Sequence, residues 1–381
     1  MELFFQSGIY TSFLKKNSYA ANINRITNHI IAQKENHNPD ILVLGTSVAY
    51  QGLSMRILQN GLDKHNLKIQ SSAIPGSELI VQELASKKVL KNFDKVKLLI
   101  YVAEITMPWV SQTEYALPTL AMIAEFPISE ILQTLPHHKY TSGFKIPVWN
   151  KEFRTSYGFS DMSYLFFKTI AYRRDLNDFF LDPGKRIKHF SRSINNPNQN
   201  FYDFENDHPE RMSSYGMKDL QDCVSKTIDY AQPPFPENSN EDHKKAILDT
   251  CLLSIQTINL LEPTKTAASA DTDSTRLYFS RLKFVLQPYL DRDIKVLVVY
   301  APYSHLMGKI GGPEKLEVWN RETKKLVGDH FTSVDFQDLF ANEDSNEFCY
   351  DTIHLNQFGM ERFSNALSKY LDENLNSILE K

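Results

Sequence analysis

Asp40-Ile41-Leu42-Val43-Leu44-Gly45-Thr46-Ser47 is the stretch from which the rest of the chain can be read. Four consecutive apolar residues with no polar alternation fit a short strand buried on both faces. Gly45 allows a sharp backbone turn, and from Ser54 to about Gly61 the pattern becomes helical. Strand, tight turn and helix in that order put Ser47 at the carboxyl edge of a parallel sheet, where open α/β folds place their ligands.

Working outward, strands fit Leu67 to Ala73 and Val96 to Val102, with a helix from Glu78 to Lys91 between them. Such alternation implies parallel pairing through right-handed crossovers. After Pro108 the rhythm changes to apolar residues at helical spacing, followed by a stretch rich in aromatic and polar residues. Two linkers, 232–239 with three prolines and 264–275 rich in Ala, Ser, Thr and Asp, flank a helix over Asp242 to Leu261. The α/β pattern then resumes with a helix from Arg276 to Leu290 and a strand from Ile294 to Tyr300. A strand from Thr332 to Phe336 and a helix from Gln357 to about Leu375 complete it. The expectation is an α/β fold with a central parallel sheet flanked by helices, in strand order 2-1-3-4-5. Its core lies in two pieces, 37–112 and 275–381, with a helical lead-in over 1–36 and a large, mostly helical insertion over 113–274. No internal repeat is visible.

Composition narrows the function. The 381 residues carry 42 Lys+Arg against 46 Asp+Glu, a formal charge of -4, which gives no bulk attraction for nucleic acid or anionic lipid. Cys223, Cys251 and Cys349 are odd in number and widely spaced, so they suggest neither a disulfide framework nor a zinc knuckle. The N-terminus has no basic segment, no apolar run of signal-peptide length and no small-residue cleavage site. The chain therefore reads as soluble, although its abrupt start leaves open an N-terminal membrane anchor upstream.

Two elements carry chemistry. A serine on a turn after a buried strand can be a nucleophile, with backbone N–H groups of the following turn facing a developing oxyanion. Ser47 also reads as a helix N-cap without chemistry. The second element, Asp351-Thr352-Ile353-His354-Leu355-Asn356, precedes the last helix. Asp351 and His354, three apart, can share one face, so that the carboxylate orients the imidazole. A histidine of ordinary pKa, roughly 6.5, can then serve as base toward a hydroxyl. A chance pair at a helix start is the alternative.

Together, Gly45-Thr46-Ser47 after the first strand and Asp351 to His354 before the last helix resemble the SGNH (GDSL-like) hydrolases and acyltransferases. The likeness covers residues 40–54 and 349–366 and the strand pattern between them, with Thr46 where that family most often has Asp. It implies a flavodoxin-like SGNH fold with a Ser47, Asp351, His354 triad and no metal or organic cofactor. It also implies an oxyanion hole from the N–H groups of Ser47 and Gly76, the latter in Ala73-Ile74-Pro75-Gly76-Ser77; Gly76 could equally serve only the turn. The family's third block contributes an asparagine after the third strand, but this chain reads Tyr101-Val102-Ala103-Glu104-Ile105-Thr106. One lost donor typically costs about 2.7–4 kcal/mol of transition-state stabilisation. Thr106 is a candidate replacement, whereas an ionised Glu104 would repel an oxyanion.

Thr46, Thr106, Tyr303 and His305 are the remaining substrate-site candidates. His137-His138 and Asp207-His208 read as surface positions without further metal ligands. Lys185 to His189 reads as a solvated basic face. Within the superfamily, the insertion and the missing asparagine resemble bacterial envelope members. The implied activity is that of a serine esterase or O-acyltransferase acting on an ester-linked acyl group of an envelope glycan or polymer through acyl-Ser47. The expected location is the cell envelope, facing the periplasm, with a cytoplasmic one left open. A non-catalytic SGNH-like binding module with a degraded oxyanion hole is the alternative.

Overall fold

The computed structural model describes residues 2–15, 18–110, 117–138, 167–195, 240–261, 272–305, 307, 312–343, 348–349 and 351–380. Five strands, β1 Ile41–Leu44, β2 Ile69–Ser71, β3 Leu98–Ala103, β4 Lys295–Tyr300 and β5 Phe331–Asp335, form one sheet in the order β2-β1-β3-β4-β5. Every neighbouring pair is parallel. The expected α/β architecture and strand order are therefore present, consistent with a flavodoxin-like fold. All four residues of β1 are at most 1 % exposed, as an uninterrupted apolar strand between two helical layers requires.

Six helices belong to this sheet: α1 Ser47–Gly52, α2 Met55–Leu62, α3 Leu79–Leu90, α4 Asp273–Leu290, α5 Gly312–Val327 and α6 Gln357–Leu379. Right-handed crossovers sort them into two layers, because the chain moves one way from β1 to β2 and the other way from β2 through β3 and β4 to β5. Thus α3 packs against α4 on one face, and α2 against α6 on the other. Sequence reading placed no element between Tyr300 and Thr332, yet α5 occupies that crossover. Its outer face is charged and its buried set is sparse, including Lys315, Val318, Trp319, Thr323 and Val327, so its apolar stripe is thin in the sequence.

Among the described residues, every element between β3 and α4 is helical, including Leu117–Ile123, Ile128–Thr134, Pro183–Asn195 and Glu241–Leu261. The linker 232–239, most of the linker 264–275, Asp207-His208 and Cys223 lie outside the described residues. Cys251 is disulfide-bonded, which the odd cysteine count had not suggested, and Cys349 is free and buried. No described helix is long and apolar enough to cross a membrane.

The end of the fold bears directly on the site. Asn356 caps α6 by accepting from the N–H groups of Phe358 and Gly359 at 3.0 and 3.1 Å, satisfying donors that a helix start leaves unpaired. Its own N–H donates to the Phe348 carbonyl at 3.1 Å, and an antiparallel bridge between Cys349 and Leu355 closes the loop. A Cβ at Gly359 would lie 2.0 Å from the Phe348 oxygen. Gly359→Ala must therefore open this loop, and a stability loss of about 1–3 kcal/mol, the usual range for overpacking, is expected in chemical denaturation. A midpoint equal to that of the wild-type chain would contradict this account.

Candidate active site

β1 delivers the chain to the sheet's carboxyl edge at Gly45, where a Cβ would lie 2.7 Å from Ala49 Cβ and 3.0 Å from the Val102 carbonyl of β3. Only glycine lets the backbone pass so close beneath α1. The cap of α1 is Thr46, whose side-chain oxygen accepts from the Val48 N–H at 3.3 Å. Ser47 is thus the first helical residue, and the cap reading of Ser47 is corrected: its neighbour takes that role and leaves the Ser47 hydroxyl available.

That hydroxyl meets His354 Nε2 at 2.8 Å, across the sheet edge from a residue 307 positions away. The His354 Nδ1 faces Asp351 Oδ2 at 2.7 Å. An ionised carboxylate only accepts, so Nδ1 carries the proton and donates it, leaving Nε2 to accept from the serine hydroxyl. Asp351 is fully buried, and its other oxygen, Oδ1, accepts from the backbone N–H groups of Ile353 and His354 at 2.8 and 2.7 Å. Burial alone would raise its pKa, but the His354 charge and these bonds outweigh burial and hold it below the ordinary value. For His354 the balance is reversed in sign. Burial would lower its pKa, while the Asp351 charge and hydrogen bond, with a smaller push from Glu104, raise it above 6.5. The imidazole side chain is still 16 % exposed, and Ser47 is half-buried, so the site opens to solvent.

Gly76 stands beside this edge with φ +71° in a turn closed by the Ser77 N–H to the Ile74 carbonyl at 3.1 Å. It is exposed. Among the described residues, the N–H groups of Ser47 and Gly76 have no backbone acceptor. Over Gly76 lies Tyr19, whose Cε1 would be 2.5 Å from a Cβ added at that glycine. Nothing in the sequence links Tyr19 to this turn, and only the packing of the N-terminal segment brings them together.

Glu104, leaving β3, is half-buried and hydrogen-bonds through Oε1 with the Thr46 hydroxyl. Burial raises its pKa above the usual carboxylate value, against the smaller opposing effects of the Thr46 bond and the His354 charge. Thr106 does not replace the missing asparagine: it is buried and bonded to the Tyr303 hydroxyl. Tyr303 is itself buried, and burial pushes its hydroxyl pKa far above 10. These two residues tie the β3 and β4 exits together and do not line the opening. His305 follows on the same loop, half-buried.

Two surface readings are corrected. His138 is 1 % exposed, bonded to Glu83 Oε2 at 2.7 Å and to Arg281 Nε at 3.3 Å. His137 bonds Glu83 Oε1 at 2.9 Å and stacks on Phe284 with ring centroids 3.9 Å apart. A carboxylate buried on α3 needs such partners, and the two histidines supply them. In the basic stretch, Arg186 is buried against Asp175 at 3.1 Å, while Ile187 and Lys188 are exposed. Among the described residues no group of three or more His, Cys, Asp or Glu is placed to hold a metal ion. Searched against protein-family models and curated proteins, the chain matches none.

The carboxylate's hold on the imidazole is directly measurable. Replacing Asp351 by Asn removes the charge and presents an amide N–H toward Nδ1, which drives the ring proton to Nε2 and takes the acceptor from Ser47. By NMR titration, His354 is expected to titrate above the ordinary value of about 6.5 in the wild-type chain and below it in Asp351→Asn. Equal titration in both chains would mean that Asp351 does not set the state of His354.

Proposed function

We propose that this chain is an SGNH-type serine hydrolase or acyltransferase in which Ser47 attacks an ester carbonyl and His354, oriented by Asp351, takes the hydroxyl proton. The observation that carries this reading is the continuous hydrogen-bond chain from Ser47 Oγ through His354 to Asp351, at 2.8 and 2.7 Å, at the sheet's carboxyl edge. Such a chain makes a hydroxyl nucleophilic, whereas a capping serine has no base beside it. The Oγ–acyl bond forms as the leaving-group oxygen departs with the proton held on His354, and water or a hydroxyl acceptor then takes the acyl group from Ser47.

Three features support an ester-linked acyl group on a cell-envelope glycan or other polymer as the substrate class. They are the likeness to envelope members of the superfamily, the helical segments carried between β3 and β4, and the disulfide at Cys251, since disulfides persist in oxidising compartments. The same features support a periplasm-facing location. Glu104 at the place of an oxyanion donor favours one other reading, a binding module that keeps the fold without turnover.

A fluorophosphonate probe separates the two. It should form an Oγ–phosphorus bond at Ser47 with loss of fluoride in the intact protein, and Ser47→Ala or His354→Ala should abolish labelling while leaving the thermal transition in place. A folded, solvent-open chain that stays unlabelled between about pH 6 and 9, the range in which a histidine base deprotonates, would sink the catalytic reading in favour of the binding module.

A further inference from the structure

The acyl-enzyme reading assigns no role to one group beside Ser47 and His354, the carboxyl of Glu104. Its position is fixed on one side. Thr46 Oγ1 accepts from the Val48 N–H as the α1 cap, so the hydroxyl hydrogen points elsewhere, and Glu104 Oε1 is the atom it meets. A hydroxyl donating to Oε1 marks that oxygen as the acceptor of the carboxyl group. The other oxygen, Oε2, makes no hydrogen bond with a described residue.

The surroundings favour a neutral group. Burial raises the Glu104 pKa against the opposing Thr46 bond and His354 charge, and the rings of Tyr101 on β3, Tyr278 on α4 and Tyr303 after β4, within its electrostatic reach, are all buried. Trp319 of α5 is fully buried and donates to the Ile105 carbonyl at 2.8 Å, closing the floor under the β3 exit. The cationic group acting on Glu104, among the described residues, is His354, which Asp351 already pairs. A carboxylic acid on such a floor can stay protonated near neutral pH.

We propose that Glu104, as a neutral carboxylic acid, is a catalytic residue that donates a hydrogen bond from Oε2 to the oxyanion formed when Ser47 attacks. This role rests on the acyl-enzyme reading above. In the step, the Ser47 Oγ–carbon bond forms, the hydroxyl proton moves to His354 Nε2, and the carbonyl electron pair collects on the oxygen facing Glu104. On collapse that pair restores the carbonyl, the leaving oxygen takes the proton from His354, and Glu104 keeps its own proton throughout. The productive state therefore has Glu104 protonated and His354 neutral. A competing state with the same number of protons has carboxylate and imidazolium, so the two groups titrate as a pair.

The test compares fluorophosphonate labelling of Ser47 in the wild-type chain, Glu104→Gln and Glu104→Ala across pH. The amide of Gln keeps an acceptor for Thr46 and a donor at the Oε2 position, and it does not ionise. Wild-type labelling should rise as His354 deprotonates and fall at higher pH as Glu104 ionises. Glu104→Gln should lose that alkaline fall, and Glu104→Ala should label more slowly by about 10²–10³-fold, the usual effect of one lost oxyanion donor. Glu104→Gln no faster than Glu104→Ala would show that the negative charge is what matters and would overturn the role of Glu104 alone. Absence of labelling in all three chains would overturn the acyl-enzyme reading itself.

Thermal stability gives a readout independent of turnover. An acid whose pKa is higher folded than unfolded weakens the fold as pH rises from its unfolded value, about 4.3–4.5, toward its folded one. The melting temperature of Glu104→Gln should therefore gain on that of the wild-type chain over this interval. A gap that stays flat or reverses would overturn the neutral-acid assignment.

Discussion

Parallel pairing of β3 with β4 is the contact on which the rest of the molecule depends. The two strands come from opposite sides of the long excursion between Ala103 and Lys295, yet they match residue for residue from Leu98 with Lys295 to Ala103 with Tyr300. Closing a loop of that length costs entropy only as its logarithm, so a long excursion is tolerated once two strongly apolar strands meet. Without this pairing, the half of the chain that carries Asp351 and His354 would have no fixed relation to Ser47. With it, β5 pairs with β4 through the crossover that carries α5, and the loop before α6 reaches the edge where β1 ends.

Within that frame the site is held by backbone geometry more than by side-chain packing. Gly45 lets β1 turn beneath α1 in contact with β3, and Gly359 lets α6 begin against the Phe348 carbonyl. Asp351 spends one oxygen on two backbone N–H groups and the other on His354, so the carboxylate orients its own loop and the imidazole at once. A buried charge without such partners would cost several kcal/mol or would neutralise. The arrangement keeps Asp351 ionised and thereby fixes which ring nitrogen of His354 faces Ser47.

The legible parts of the sequence were those whose physics is local or periodic. β1, β3, β4, α2, α3, α4 and α6 appear within a few residues of where apolar runs and helical spacing placed them, because burial on two faces or one leaves a clear pattern. The Ser47 and Asp351/His354 elements were legible because each sits at a junction of a strand or helix with a turn. What escaped depends on long-range contact. α5 carries too few inward apolar residues to declare itself, and His138 looks like a surface histidine until the buried Glu83 of α3 is seen opposite it. Tyr19 over Gly76 and Thr106 against Tyr303 are likewise products of packing between segments far apart in the chain.

Glu104 shows most clearly why a residue's type does not determine its effect. Read as a carboxylate it is a liability, since a unit negative charge about 4 Å from an oxyanion is repelled by about 4 kcal/mol at an effective dielectric of about 20. Read as an acid it is an asset, since an oxyanion donor contributes about 2.7–4 kcal/mol. The two protonation states therefore act on the barrier in opposite directions. Sequence gives only the carboxyl. Its surroundings push it toward the acid: burial beside the Tyr101, Tyr278 and Tyr303 rings raises its pKa, and the Thr46 hydroxyl on Oε1 and the His354 charge oppose this only in part. Asp351 sits among backbone donors and beside an imidazole, and its pKa is lowered; Glu104 lacks that set, and its pKa is raised. At Asp351 the imidazole and backbone donors outweigh burial, and at Glu104 burial outweighs the Thr46 bond and the His354 charge, so the two carboxyl groups shift in opposite directions.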